Sequence, residues 1–136
     1  MISTKGRYAL RVMIDLAEHG AQEWIPLNDI AERQEISKKY LEIIVRDLVA
    51  GGLVKGASGK GGGYRLCREP ETYTAYEILL CAEGTLSSVA CLADPDMDCP
   101  RRAFCKTLPM WKEYDAMVRA FFSGKKLSDL TADPAP

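Results

Sequence analysis

The sequence predicts a mainly α-helical fold with one small β-hairpin, arranged as a winged helix-turn-helix domain followed by a long C-terminal helix. Three observations predict it. Two amphipathic helical patterns, separated by a tight connection, occupy residues 26–50. A glycine-rich stretch between two short apolar segments follows them and is typical of a hairpin. A last amphipathic pattern runs from about Thr107 to Ser123.

The first elements can be assigned in order from their caps. The first helix is predicted over about Thr4–Gly20, with Thr4 as its cap and Gly20 at its end. Pro26 opens a short second helix, because proline is favoured in the first turn. Ser37 caps a third helix, which Gly51 ends. A short helix, a tight turn and a longer capped helix in this order predict a helix-turn-helix.

The third helix has a polar face opposite its apolar stripe. Lys39, Glu42 and Arg46 are spaced at i, i+3 and i+7, so they share that face, and Lys38 lies near the helix start. A helix that enters the major groove of DNA needs polar side chains of this kind, mostly toward its N-terminus. An ordinary solvated helix face has the same pattern, so this observation alone leaves both interpretations open.

The stretch LVKGASGKGGGYRLC predicts a hairpin that would form a wing. Leu53–Val54 and Tyr64–Leu66 are its short strands, and five glycines lie between them. Lys55, Lys60 and Arg65 line the hairpin, so its backbone and cations suit contact with phosphates or the minor groove. A hairpin of this kind directly after a polar helix favours DNA binding.

The two helices after the hairpin can be assigned in the same way. Thr74 is predicted to cap a fourth helix over TAYEILLCAEG, and Pro109 fits the first turn of the last long helix. The last helix has a broad apolar face, which either packs on the same chain or meets a partner helix. Because most helix-turn-helix proteins bind two half-sites as dimers, we expect this helix to form a homodimer.

The bulk composition is that of one globular domain with at most an appendage. The chain has 136 residues, of which 47% are apolar and 27% charged. No run reaches the roughly 18 apolar residues of a membrane span, and the start MISTKGRYAL lacks the apolar core of a signal peptide. We therefore expect a cytoplasmic protein without a membrane partner.

The charge is unevenly distributed, although the net charge is only −1. Residues 1–68 contain 11 Lys and Arg against 8 Asp and Glu, whereas residues 69–136 contain 7 against 11. A mildly basic first half and an acidic second half indicate that only the first half meets a polyanion.

Two enzyme classes are disfavoured by their motifs. GKGGG is not a phosphate-binding P-loop, because position 54 is Val and position 61 is Gly where that motif needs Gly and Ser or Thr. The Cys-x-x-Cys pair of thiol–disulfide oxidoreductases does not occur in the sequence. We therefore expect a protein that is not an enzyme.

Three of the five cysteines, Cys91, Cys99 and Cys105, fall within CLADPDMDCPRRAFC. A disulfide, a metal site and a reactive redox pair are the three interpretations. A disulfide framework suits neither an odd number of cysteines nor a cytoplasmic protein. Thiolates are soft ligands for iron–sulfur clusters, zinc or copper(I), but the short cysteine pairs of structural zinc sites are missing. Cys67 and Cys81 are predicted to be small buried apolar residues.

Three motifs carry a resemblance to a known family: STKGRYALRVMIDLA, PLNDIAERQEISKKYLEIIVRDLVAGGLV and GKGGGYRL, followed by the clustered cysteines. Over residues 1–125 the chain resembles the Rrf-two family of bacterial winged-helix regulators, and within it the iron–sulfur cluster regulator (IscR) branch. The resemblance implies a homodimeric transcription factor that binds double-stranded operator DNA. It also implies that Cys91, Cys99 and Cys105 hold an iron–sulfur cluster, [2Fe–2S] rather than [4Fe–4S].

The same resemblance implies DNA-binding residues in the first helix, the third helix and the wing tip. Glu42 matches a carboxylate that, in the IscR branch, helps to decide which DNA sites are tolerated. The candidate DNA-binding residues are Thr4, Lys5, Arg7, Ser37, Lys38, Lys39, Tyr40, Glu42, Arg46, Lys60, Gly61 and Gly62.

The sequence departs from the family pattern at the fourth cluster ligand. Leu108 occupies the position where the IscR branch has a histidine, and KGRYAL has no carboxylate of the kind that the nitric-oxide-sensing branch uses. The fourth ligand stays open among Cys81, a small molecule and the three aspartates Asp94, Asp96 and Asp98. A cluster-free thiol or metabolite-responsive repressor, of the cysteine-metabolism type, is the alternative function.

The predicted organisation has four segments. They are a winged helix-turn-helix DNA-binding domain over residues 1–80, a cysteine-rich sensor loop over 81–106, a dimerisation helix over 107–125 and a flexible tail over 126–136. We expect the state of the loop to shift the relative position of the helices that it joins, and so the spacing of two recognition helices in a dimer.

Overall fold

The computed structural model of the chain describes residues 1–20 and 23–132 and confirms the predicted fold class. Two single turns of 3₁₀ helix, Pro70–Thr72 and Arg102–Phe104, lie in the connections. Within the described residues no helix is long and apolar enough to cross a membrane. The elements are α1 (Thr4–His19), α2 (Leu27–Gln34), α3 (Lys38–Ala50), β1 (Val54–Ala57), β2 (Gly63–Leu66), α4 (Ala75–Glu83), α5 (Ala90–Ala93), α6 (Leu108–Ser123) and α7 (Leu127–Leu130).

Local capping signals place the starts of three helices where the sequence predicts them. Pro26 immediately precedes α2. The Ser37 hydroxyl accepts from the backbone N–H of Tyr40 at 3.3 Å and caps α3. Thr74 caps α4 and forms a reciprocal capping box with Glu77.

The start of α1 differs from the prediction by one residue. Ser3, not Thr4, is the cap, and its hydroxyl accepts from the backbone N–H of Gly6 at 3.3 Å. The same hydroxyl donates to the Glu83 carboxylate at 2.7 Å, and the Ser3 backbone N–H donates to it at 2.9 Å. The contact with the end of α4, which is distant in sequence, therefore favours Ser3 as the cap.

One continuous hydrophobic core lies under the helix-turn-helix, with α1 at its centre. The apolar face of α1 packs against α2, α3, α4 and α7, because its buried positions recur at helical spacing. Among the described apolar residues, those at most 1% exposed are Ala9, Val12, Met13, Leu16, Ile30, Leu41, Ile44, Val45, Leu48, Tyr73, Ile78, Leu79 and Leu127.

The hairpin of β1 and β2 is attached to the connection between α1 and α2. Ile25 and Tyr64 exchange two backbone hydrogen bonds of 2.9 Å, so Ile25 adds a bridge to the free edge of β2. The Arg65 guanidinium lies 4.2 Å from the centre of the Trp24 ring. Gly63 has a φ of 151°, and a Cβ there would collide with the Ile25 carbonyl. These contacts hold the hairpin against the helix-turn-helix.

The segment after α6 is packed on the core of the helix-turn-helix. Leu127 is fully buried, and its backbone N–H donates to the Tyr73 carbonyl at 3.0 Å. The Ala75 N–H donates to the Lys125 carbonyl at 2.8 Å. The prediction of a flexible tail from residue 126 is therefore wrong for Leu127–Leu130, because the buried Leu127 attaches this polar stretch to the core. Residues 133–136 of the predicted tail lie outside the described residues.

Cys67 is exposed, so its predicted burial is wrong. It directly follows β2, where the chain leaves the hairpin. Its backbone N–H donates to the Tyr73 hydroxyl at 2.9 Å while its side chain points away from the core. Cys81 on α4 is half-buried and packs against the core, as its position in an apolar helix predicts.

Candidate nucleic-acid interface and cysteine loop

The exposed face of α3 carries the polar residues that the sequence places there. Lys38, Lys39, Glu42 and Arg46 are all exposed, whereas the opposite face of the helix is buried in the core. Ser37, as the cap, begins the helix directly before the two lysines. The helix start therefore combines two ammonium groups with the partial positive charge of its free backbone N–H groups.

Tyr40, in contrast, is half-buried against α1. Its ring meets that of Tyr8 edge-on, with 5.8 Å between the ring centres. The Arg11 guanidinium lies 5.0 Å from the centre of the Tyr8 ring and donates to the carbonyl oxygen of Gln34 at the end of α2. Tyr40 therefore contributes to the position of α3 relative to α1.

A buried ion pair fixes the end of α2 on α1. Asp15 is 0% exposed, and its carboxylate accepts from the Arg33 guanidinium at 2.8 Å and 3.0 Å. Gln34 Nε2 donates to the same carboxylate at 3.0 Å. Glu35 then turns the chain toward α3 with a φ of 54°, in the left-handed region. Sequence reasoning missed this network, although an acidic residue on the buried face of α1 was its signal.

The three candidates at the start of α1 have different surroundings. Thr4 and Arg7 are exposed, and Arg7 Nη2 donates to Thr4 Oγ1 at 3.4 Å. Lys5 forms an ion pair with Asp47 in the last turns of α3. The Lys5 ammonium therefore lies beside the C-terminal end of α3 and not beside the lysines at its start.

The wing tip, residues 58–62, is a turn whose conformation favours glycine. Gly59 and Gly61 have φ values of 88° and 80°. Lys60 lies exposed between them, and the Gly62 N–H closes the turn on the Gly59 carbonyl at 3.1 Å. The turn therefore exposes the Lys60 ammonium group, and the glycines on both sides leave the adjacent backbone accessible.

A cleft of about 660 Å³ separates the wing from α3. Glu42 and Arg46 line its helix side, and Gly56 and Tyr64 line its hairpin side. The exposed face of α3 and the hairpin therefore border one groove, although they are separate in the sequence.

The cysteine loop, residues 91–105, precedes α6. Cys91 lies in α5, and Cys99 and Cys105 lie on either side of the 3₁₀ turn Arg102–Phe104. All three are half-buried free thiols. Across residues 1–20 and 23–132, no three His, Cys, Asp or Glu side chains lie close enough together to hold a metal ion. Three thiols are soft ligands of the kind that hold iron–sulfur clusters, and within the described residues of a single chain they are not gathered into one site.

The thiols of Cys81 and Cys105 have opposite environments. Cys81 Sγ donates to the backbone carbonyl of Asp47 at 3.2 Å, and burial raises the pKa of this thiol. Cys105 Sγ lies 3.6 Å from Thr107 Oγ1, and hydrogen bonding by Thr107 lowers the pKa of the Cys105 thiol, with a smaller contribution from the charge of Arg101. These surroundings favour the thiolate form of Cys105 and disfavour that of Cys81, whose sulfur contacts α3 and not the loop.

The outer face of α6 is an exposed apolar stripe. Met110, Tyr114, Met117 and Phe121 are 51–66% exposed and are spaced at i, i+4, i+7 and i+11. A groove of about 570 Å³ lies beside the stripe and extends to Leu86. A contiguous apolar surface of this kind marks an interaction site.

Comparison with known proteins decides the family. A family profile described as Rrf2, iron-dependent transcriptional regulator, matches residues 2–133. The chain belongs to the Rrf2 (Rrf-two) family. The transcriptional regulator IscR of Aliivibrio salmonicida is 33% identical to it over 132 residues, which are 97% of this chain and 77% of the relative.

Two solved structures of Rrf2-type regulators are similar over nearly the whole chain. CymR of B. subtilis, a global cysteine regulator, superposes with a TM-score of 0.76 at 34% identity. The superposition covers 98% of this chain and 98% of that one. IscR of T. potens superposes with a TM-score of 0.75 at 33% identity, over 96% of this chain and 85% of that one. Membership of the Rrf2 family confirms a DNA-binding transcriptional regulator that is not an enzyme.

Proposed function

We propose that this Rrf2-family regulator binds a palindromic operator as a homodimer and responds to iron–sulfur or redox status through Cys91, Cys99 and Cys105. The observation that carries the proposal is the placement of these three free thiols between α4, which belongs to the DNA-binding domain, and α6. Iron–sulfur clusters are held by cysteine thiolates, and a labile cluster makes a useful sensor.

DNA binding is assigned to α3 and the wing. Lys38 and Lys39 are exposed at the N-terminal turn of α3, the part of a recognition helix that meets the major groove. Lys60 at the glycine-rich wing tip suits a phosphate or the minor groove. The proposal also includes Thr4, Lys5 and Arg7 at the start of α1, where Thr4 and Arg7 are exposed and Lys5 is paired with Asp47.

Salt titrations of DNA affinity test this assignment. Lys38→Ala, Lys39→Ala and Lys60→Ala each weaken binding to duplexes of any sequence, and each lowers the slope of log K against log salt by about one, because one phosphate contact is lost. Lys112→Ala, which removes an exposed cation from α6, is the matched control and leaves the slope unchanged. The assignment would be refuted if all three lysine variants of α3 and the wing kept the wild-type slope of log K against log salt.

Dimerisation is assigned to the exposed stripe of α6. A second copy would cover Met110, Tyr114, Met117 and Phe121, whose exposure is otherwise unfavourable. A two-fold dimer would place two recognition helices about 34 Å apart, one turn of DNA. Met117→Glu should give a folded monomer in sedimentation experiments. The control Lys112→Glu, on the same helix but outside the stripe, should stay dimeric. A dimeric Met117→Glu variant would contradict the assignment.

The sensing step is assigned to a change in the loop that moves α6. α6 rests on α4 through the Arg119 guanidinium, which lies 5.3 Å from the centre of the Tyr76 ring. Asp115 of α6 also accepts from the backbone N–H of Ser88 at 2.9 Å, just before the loop. A change in the state of the loop thiols therefore acts on the contacts that position α6, and so on the spacing of the two recognition helices.

Anaerobic purification followed by iron, acid-labile sulfide and zinc analysis tests the cluster. Iron and sulfide should be present in the wild type and lost in Cys91→Ala, Cys99→Ala and Cys105→Ala. Cys67→Ala is the matched control, because it removes an exposed cysteine outside the loop and should keep both elements. A wild type that contains neither iron nor sulfide refutes cluster sensing, and equal operator affinity with and without iron and sulfide refutes the coupling.

A cluster-free thiol sensor is the second candidate, and two observations favour it. The three loop thiols do not form a metal site among the described residues, and hydrogen bonding by Thr107 lowers the pKa of the Cys105 thiol. Peroxide treatment of metal-free protein should then change operator affinity, and a thiol reductant should restore it. An unchanged affinity, or the same response in Cys105→Ser, would count against this candidate.

A further inference from the structure

Ile43 is an apolar residue in the middle of the exposed face of α3. It is 40% exposed. Lys39 lies one turn before it, Arg46 one turn after it, and Glu42 beside it in the sequence. The next residue, Ile44, is 1% exposed and supplies the core contact at this level of the helix. Ile43 therefore contributes little to the core of the domain.

Helix stability does not account for an isoleucine at this position. Its β-branched side chain has a lower helix propensity than the Lys, Arg or Glu side chains that surround it. Two other large apolar residues of the DNA-binding domain are similarly exposed, Val49 at 40% and Leu80 at 36%, and each lines a cleft. Ile43 instead projects from the helix between the charged side chains of Lys39 and Arg46.

The major groove of DNA contains one apolar group on the edges of its base pairs, the 5-methyl group of thymine. Charged side chains position a helix on phosphates or hydrogen-bond to guanine and cytosine, but they gain little from a methyl group. An isoleucine that packs on this methyl group removes apolar surface of both partners from water.

We infer that Ile43 contacts the 5-methyl group of a thymine in each half-site and makes this regulator prefer thymine at that operator position. The inference rests on the proposed docking of α3 in the major groove and deepens it, because it assigns a base to one position on the helix.

Replacement of single thymines by uracil tests the inference, since uracil pairs identically but lacks the methyl group. A preferred duplex is first selected from random sequences with the purified wild type, and each thymine of one half-site is then replaced in turn. One replacement should weaken wild-type binding about fourfold, the factor for losing one buried methyl-sized contact. Ile43→Ala should bind the thymine and uracil forms of that duplex equally, as measured by fluorescence anisotropy.

Leu80→Ala is the matched control, because it truncates a similarly exposed apolar side chain on α4, and it should keep the wild-type preference for thymine. Circular dichroism melting verifies that Ile43→Ala is folded. Three results would overturn the inference: selection without sequence preference, a wild type indifferent to every uracil, or an Ile43→Ala variant that keeps the preference. If Lys39→Ala weakens binding while uracil has no effect, only this inference fails; if Lys39→Ala has no effect either, the proposed docking of α3 fails with it.

Discussion

The helical domain formed by α1 to α4 with the hairpin, and the cysteine loop, residues 91–105, differ in how completely their side chains are buried and paired. In the domain, even the charged Asp15 is 0% exposed and is satisfied by Arg33 and Gln34. In the loop, Phe104 is 65% exposed, and backbone hydrogen bonds such as that from Arg102 to Cys99 join residues that are close in sequence.

This difference in packing suits DNA binding by the domain and the sensing role that is proposed for the loop. A segment with few buried tertiary contacts changes its structure at a low cost in free energy, whereas a packed core opens only with global unfolding. The domain therefore holds α3 in a fixed position, and a response of the loop, as proposed above, would leave that position unchanged. The α6 helix follows the loop and contacts Tyr76 of α4 and Ser88, which precedes the loop.

The largest effect is expected where the packed region loses its buried ion pair. Arg33→Ala leaves the Asp15 carboxylate buried with only the Gln34 amide, and should lower the free energy of unfolding by about 3 kcal/mol. Urea denaturation measures it. Arg46→Ala removes an exposed arginine and should stay within about 0.5 kcal/mol of wild type. A loss below about 1 kcal/mol for Arg33→Ala would show that the domain does not depend on this pair.

A slightly smaller loss is expected at the segment that follows α6. Leu127 is fully buried, so Leu127→Ala should lower the free energy of unfolding by about 2 to 3 kcal/mol through the cavity it leaves. Leu130 is only half-buried, and Leu130→Ala should cost less than about 1 kcal/mol. Equal urea midpoints for the two variants would mean that residues 127–130 belong with the flexible part of the chain.

The reactivity of a thiol in the packed domain should differ from that of a thiol in the loop. At neutral pH Cys105 should react with iodoacetamide faster than Cys81, because hydrogen bonding by Thr107 lowers the pKa of the Cys105 thiol whereas burial raises that of Cys81. The ratio should shrink as the pH rises through both pKa values, since both thiols are then ionised. Peptide mass spectrometry follows the rates, and unfolded protein should label both residues alike; equal rates in the folded protein would contradict the prediction.

The smallest effect is expected from the loop itself. In metal-free protein, replacing Cys91, Cys99 and Cys105 together by serine should change the free energy of unfolding by less than about 0.5 kcal/mol, because all three lie outside the hydrophobic core. The same variant should lose any response of operator affinity to iron, sulfide or peroxide. A large loss of stability would show that the loop is part of the packed region.

Several elements were predictable because their signals are local. Ser37 and Thr74 cap helices whose start depends on hydrogen bonds to N–H groups three residues away. Gly20 and Gly51 end helices by the same short-range rules. Helical spacing predicts the polar face of α3, and the run of glycines predicts the turn of the wing. The candidate DNA-binding surface could therefore be predicted without the structure.

Local patterns in the chain therefore predict the fold class, the order of the helices, the polar face of α3 and the clustering of three thiols. Long-range packing is needed to see that Asp15 pairs with Arg33, that Lys5 pairs with Asp47, and that Leu127 is buried while Cys67 is exposed. The two sets differ in the sequence distance over which the interactions act. Capping and periodicity act over about four residues, whereas these contacts join residues far apart in the chain, and only the packing of α1 against its neighbours brings them together.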